Sequence, residues 1–257
     1  MKIYIMTDLE GISGVAEAGY TDQASPFYQD ARRYLMGDLN AAIAGCFDAG
    51  ADEVIVKDGH HNGRNFIMDQ LDPRAVHDYS AGAWTGILDD SFDATMIIGQ
   101  HAMAGTLNGF LDHTMSSTTW WQYSINGRPH GELGMWAAIA GHYNVPLIFI
   151  SGDQAACEEA RAFIPNIQTV SVKHGQGRNR AQCKPVGQCQ DQIRAGARRA
   201  IQNLQKIQPY KIELPATVEL IYCRSDMADS AASRPHVQRI DARTVRKTAE
   251  TALDIHL

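Results

Sequence analysis

MKIYIMTDLEGISG, the stretch from Met1 to Gly14, opens on an apolar, β-prone run and closes on two carboxylates and two glycines. An unbroken apolar run, as opposed to an alternating one, suits a strand covered on both faces of a parallel sheet. Side chains two apart on a strand share a face, with Cα atoms roughly 6.5 Å apart, so Asp8 and Glu10 converge on one spot while Leu9 faces the core. Two like charges held together and stripped of water need a cation, an arginine or a proton. No basic residue near them in sequence serves. A lone DxE pair also caps a following turn or helix, so this stretch poses a question that other parts of the chain must answer.

Working outward, ADEVIVKDGH (Ala51–His60) repeats the pattern of a buried strand running into polar residues and glycine. Between the two, Tyr34, Leu35, Leu39, Ile43 and Phe47 recur at helical spacing over Tyr28–Ala49, and Gly50 is a natural stop. The three elements form a βαβ unit. Further apolar runs are TMIIGQHA (Thr95–Ala102) and VPLIFISGD (Val145–Asp153), with a helix over Gly134–Tyr143 before the second. Beyond Asp153 the pattern predicts a helix over Gln154–Phe163, a strand over Gln168–Lys173, a helix over Gly187–Ile207, a strand over Thr217–Cys223 and a helix over Ala242–Leu253. Lys173–Gln182 and Arg224–Pro235 read as loops. The class is therefore α/β: a mostly parallel central sheet with helices on both faces, plus a smaller C-terminal α/β portion. The expected division is a metal-binding α/β domain over residues 1–160 and a C-terminal portion over residues 161–257 that completes the pocket and the oligomer contacts.

Composition narrows the classes. At 257 residues and 44% hydrophobic content the chain can bury a sizeable core. A net charge of -6 argues against nucleic acid as a partner. The charge is lopsided, with 18 acidic against 7 basic residues in residues 1–132, which suits either solubility or an acidic site that takes cations. No run of about 18 apolar residues and no secretory leader pattern is present, which reads as a cytoplasmic protein without a membrane partner. Five scattered cysteines without a CxxC pair read as reduced thiols.

Functional groups of open α/β sheets gather just past the carboxyl ends of the strands. There the chain offers Asp8 and Glu10, then Asp58, His60 and His61, then His101, and later Asp153. Carboxylate with imidazole is the donor set of zinc and its first-row neighbours, and manganese or cobalt fits the same ligand types. Glu132, in HGELGMWAAIAGHY, adds either a ligand or a carboxylate complementing a helix dipole.

At these residues the chain resembles the D-aminopeptidase family of the DppA type, dinuclear zinc peptidases that assemble into rings. The likeness rests on TDLEGISG, VKDGHHNGRN, IGQHAMAG, GFLDHTMS, NGRPHGELG and VPLIFISGD, in that order, over about residues 1–180. The resemblance implies that Asp8 bridges two zinc ions, that Glu10 binds one of them, and that His60, His101 and Glu132 complete the coordination. It also implies that His113, in LDHTM, is the catalytic residue, that the substrate is a short peptide with a D-amino-acid (D-Ala-like) N-terminus, and that the protein is a homo-oligomer, by analogy a decameric ring. Independently of the family, five ligands with three carboxylates exceed what one catalytic zinc takes and offset most of the charge of two.

These groups suit metal-assisted hydrolysis of the N-terminal amide bond, with His113 as acid/base or oxyanion holder. A two-metal phosphoesterase and a non-catalytic metal-binding protein are the alternatives. Lys173, His174 and Arg178 offer cations for a peptide carboxylate or face solvent, and Trp120 and Trp121 line a channel or pack a strand. His61, His130 and His142 receive no role.

Overall fold

The computed structural model describes residues 1–80 and 84–257. Strand β1 (Lys2–Thr7) leads through a loop to helix α1 (Tyr28–Asp48) and strand β2 (Glu53–Asp58), closing the expected βαβ unit. Strands β3 (Val76–His77), β4 (Ala94–Gln100), β5 (Trp120–Ile125) and β6 (Arg128–Pro129) follow. Next come helix α2 (Glu132–His142), strand β7 (Leu147–Asp153), helix α3 (Gln154–Phe163), strands β8 (Gln168–Gly175) and β9 (Ala181–Cys183), and helix α4 (Val186–Gln202). The last elements are β10 (Ala216–Tyr222), α5 (Ser225–Ala232), β11 (Gln238–Arg239) and β12 (Thr244–Ala249).

Seven strands form one sheet in the order β3-β2-β1-β4-β7-β8-β9, parallel throughout except for the β8–β9 hairpin. Its central strands are apolar without alternation because both faces are covered. On β4, Thr95 accepts a hydrogen bond from the Trp136 indole of α2, while the next residue, Met96, meets Cys46 of α1. Consecutive strand residues point to opposite faces, so α1 and α2 lie on opposite sides of the sheet. Helix α4 joins α1, and α3 joins α2.

Five antiparallel strands form a second sheet, β11-β12-β10-β5-β6. The chain beyond residue 160 supplies β8, β9 and α4 to the large sheet and β10 to β12 to the small one, whose other two strands come from residues 120–129. Helix α2 is shared: Leu133, Trp136, Ala137 and Ala140 join the large core, and Met135, Ala138 and Ile139 join the core of the small sheet. A helix apolar all round is one buried all round, and Leu133–Gly141 is buried at every position.

Three sequence expectations are corrected. The helix expected over Ala242–Leu253 is strand β12 followed by a short 3-10 turn, Ala252–Asp254. TVRKTA pairs with β10 and buries Val245 against the small core while Arg246 faces solvent, so strand pairing overrides local helical propensity. The loop over Arg224–Pro235 contains α5, and much of Lys173–Gln182 belongs to the β8–β9 hairpin.

Candidate metal centre

The site lies past the carboxyl ends of β1, β2 and β4. His60 follows β2 and His101 follows β4, and β1 runs between those two strands. Asp8 and Glu10 therefore sit centrally, with His60 on one side and His101 on the other.

Backbone contacts fix this register. The Asp8 amide donates to Ile98 O at 2.8 Å and the Gly11 amide to Gly99 O at 2.7 Å, which continues the β1–β4 pairing past the strand. Glycine is required at both contact points: a Cβ on Gly11 would stand 2.1 Å from Gln100 O, and one on Gly99, at φ +87°, 2.2 Å from Asp8 O. From α1, the buried Asp38 carboxylate accepts both the Ser13 amide (2.8 Å) and its hydroxyl (2.6 Å), tying down the end of the DLEGIS turn. On the other side Asn65 closes the loop after β2, donating from its amide to Asp58 at 2.5 Å and from its side chain to His60 O at 2.9 Å.

His60 Nδ1 lies 3.1 Å from both Asp8 Oδ1 and Glu10 Oε2. His101 Nε2 lies 3.2 Å from Asp8 Oδ2 and 3.4 Å from Glu132 Oε1, and His113 Nε2 lies 3.6 Å from the same Glu132 oxygen. All six sequence-selected residues are thus brought together, in two groups: Asp8, Glu10 and His60; His101, His113 and Glu132. Asp8 touches both.

Two observations show that the donors suit metal ions. Asp8 Oδ2, Glu10 Oε2 and His101 Nε2 are buried without a hydrogen-bond partner, in residues only 7%, 6% and 1% exposed. Leaving such atoms unsatisfied is costly unless something else binds them. Spacing agrees as well, since two ligand atoms about 2.1 Å from one ion at a tetrahedral angle stand about 3.4 Å apart. Orientation is set from behind: His101 Nδ1 donates to Ala102 O (2.9 Å) and His113 Nδ1 to Leu111 O (2.8 Å), which turns both Nε2 atoms toward the centre, the positions a metal would take.

Without metal, the cluster draws protons in place of cations. Burial alone would raise the Asp8 carboxyl, but the facing His101 and His60 outweigh it and hold Asp8 well below the usual carboxylate range. Glu132 is likewise held at about 2 against burial, chiefly by His101. Burial would depress His60 and His101, yet their carboxylate neighbours hold both well above the ordinary imidazole value.

His113 sits on a loop whose Asn108, Leu111 and Met115 adopt left-handed backbone, costing about 1–2 kcal/mol each for a non-glycine residue. The Met115 amide donates to Glu132 Oε1 (2.7 Å), so loop and carboxylate are braced together, and the His113 and His101 rings stack at 3.9 Å.

Other expectations change. Lys173 is an interior residue of β8, fully buried, with Nζ donating at 2.6 Å to Glu10 O and to Val15 O. It props the acidic turn from beneath and does not face a substrate. Arg178 lies 3.5 Å from Asp112. Trp121 lines a separate hollow of about 400 Å³, and the cavity over the carboxylate and imidazole cluster, about 1310 Å³, takes Trp84 as its indole.

Sequence reading missed Glu159, a buried carboxyl on α3 whose Oε2 accepts the Met103 amide (2.8 Å) while Oε1 is unpartnered. Nothing in EEARAF sets it apart from its exposed neighbour Glu158. Burial pushes its pKa from 4.5 to about 7. Below pH 4.5 folded and unfolded chains both carry the proton; between 4.5 and 7 only the folded chain keeps it, so stability falls as pH rises and levels off above 7. Glu159→Gln in the metal-free protein is therefore expected to gain stability relative to wild type on going from pH 5 to pH 8, on the order of 2 kcal/mol in urea unfolding. An equal difference at both pH values would contradict this.

A family model of M55 peptidases, described as D-aminopeptidase, matches residues 1–256. The chain belongs to that family. The D-aminopeptidase of Bacillus subtilis is 34% identical over 212 residues, covering 81% of this chain and 77% of that one. Among solved structures, the Zn-dependent D-aminopeptidase DppA from Bacillus subtilis, described as a self-compartmentalizing protease, superposes with a TM-score of 0.95 at 30% identity. That match covers 99% of this chain and 94% of that one. The family and its α/β fold are those expected from the sequence motifs, and the chain is an enzyme of a metallopeptidase family.

Proposed function

We propose that this enzyme is a two-zinc aminopeptidase that hydrolyses the N-terminal amide bond of short peptides with a D-Ala-like N-terminus. The observation that carries the proposal is the trio of orphaned, buried donor atoms on Asp8, Glu10 and His101, flanked by His60 and Glu132 at ligand spacing. The zinc dependence of the structural relative and the D-aminopeptidase activity of the family support it.

Asp8, Glu10 and His60 would hold one ion, and Asp8, His101 and Glu132 the other. When bound, zinc supplies Lewis acidity and lowers the pKa of water to about 7. The chain's own contribution is placement. Asp8 sets the spacing of the two halves, and Lys173 and Asp38 keep its turn from shifting. His113, with Nδ1 committed to Leu111 O, gives or takes a proton only at Nε2, which faces the cavity, and passes it to the leaving amine. The acid-lined cavity favours the cationic N-terminus of a peptide. We extend the proposal to a homo-oligomer, following the self-compartmentalizing relative; the decameric ring and a cytoplasmic setting remain part of this reading. No helix among the described residues is long and apolar enough to cross a membrane.

Metal analysis joined to a substrate panel tests the proposal. The purified enzyme is expected to hold about two zinc ions per chain, to lose activity on chelation and to regain it with zinc. D-aminoacyl peptides should be cleaved faster than their L-isomers, and phosphate esters left intact. Faster turnover of a phosphate ester, or no metal requirement, would overturn it.

A further inference from the structure

We propose that Arg64 is the anchor for the free carboxylate of the substrate, making the enzyme selective for short peptides with an unblocked C-terminus. This rests on the peptidase reading of the same site and adds the recognition of the substrate's far end.

The cavity wall is polarised. Among the described residues it carries the carboxylates of Asp8, Glu10, Asp22, Asp58, Asp78 and Glu132, against two permanent cations, Lys57 and Arg64. A peptide's amine is at home among such groups; its carboxylate is repelled by them. Lys57 is buried and its ammonium donates to Ser80 O at 3.1 Å. Arg64 is exposed in the cavity and, among the described residues, pairs with no carboxylate. Its Nε donates to the Tyr79 hydroxyl at 3.1 Å, which orients the guanidinium, and both η nitrogens lack a partner among the described residues. Two parallel N–H groups are what a carboxylate takes in bidentate fashion.

The root of the side chain is fixed. Asn65, the next residue, is fully buried and fastened to Asp58 and to His60 O. Arg64 therefore shares one short braced loop with the ligand His60, and the loop couples the metal end of the cavity to a cation on its wall. The basic loop at Lys173, the first candidate for this task from sequence, is committed elsewhere.

The test compares D-alanylglycine with its C-terminal amide on wild type, Arg64→Met, Arg64→Lys and Tyr79→Phe. Wild type should favour the free acid by about tenfold or more in kcat/KM. In Arg64→Met that ratio should collapse toward one, through a rise in KM for the acid; Arg64→Lys should recover part of it, and Tyr79→Phe should lose part. Zinc content measured alongside should match wild type. Equal handling of acid and amide by wild type, or an unchanged ratio in Arg64→Met, would refute the anchor while leaving the peptidase reading standing. A wild type that cleaves neither substrate refutes the peptidase reading and this inference with it.

Discussion

The Asp8→Asn protein is expected to be folded, depleted of metal and inactive, with kcat/KM lower by roughly 10^4 because the metal-activated nucleophile is lost. Asp8 is the one side chain facing both halves of the centre, through Oδ1 to His60 at 3.1 Å and Oδ2 to His101 at 3.2 Å. Its removal takes a donor from each half at once. The fold should survive but weaken: His60 and His101 hold Asp8 ionised in the metal-free protein, so an amide there gives up two charge-assisted contacts. Metal-free Asp8→Asn should thus unfold at a somewhat lower temperature than metal-free wild type, and only wild type should gain on adding zinc. Retention of two ions by the variant would show that Asp8 does not bridge.

His113→Ala is expected to behave differently, keeping its metal and losing turnover by about 10^2–10^4 in kcat with KM little changed. The assignment turns on exposure and tether. The His113 side chain is 17% exposed against 1% for His101, and Leu111 O takes its Nδ1 proton, so Nε2 is a proton-transfer site open to the cavity. Yet Nε2 also lies 3.6 Å from the Glu132 oxygen shared with His101, near enough to serve as a ligand. Zinc stoichiometry separates the roles: a variant that drops to about one ion per chain would make His113 a ligand. Partial rescue of kcat by added imidazole would support the acid/base role.

Much of the centre was legible because parallel strands announce themselves. The runs before Asp8, His60 and His101 are apolar without alternation, and each ends in a polar group at the sheet's functional edge. Proximity of the three followed from topology, though the placement of β1 between its neighbours did not, since an apolar run shows that a strand is buried on both faces and not which strands flank it. The antiparallel sheet, with one face toward solvent, was harder to read: TVRKTA carries weak alternation, and its partner strand β10 lies more than twenty residues upstream. Lys173 misled for a related reason. A lysine beside glycines reads as surface, and only three-dimensional context shows two backbone carbonyls waiting for its ammonium. Glu159 had no local signal at all, because its burial is conferred by the segment around Met103, distant in the chain.

Helix α2 carries a last consequence. It starts at Glu132 and is wedged between both sheets, with Met135 and Ile139 against Tyr123, Val218 and Leu220, while the Tyr123 hydroxyl is latched to Ile255 O. Glu132, a ligand under the proposed function, thus rides on a rod whose far flank is held by the small sheet. If Glu132 grips metal as proposed, loosening at that remote flank should weaken the grip, and occupancy of the centre would double as a gauge of whether the molecule is properly assembled.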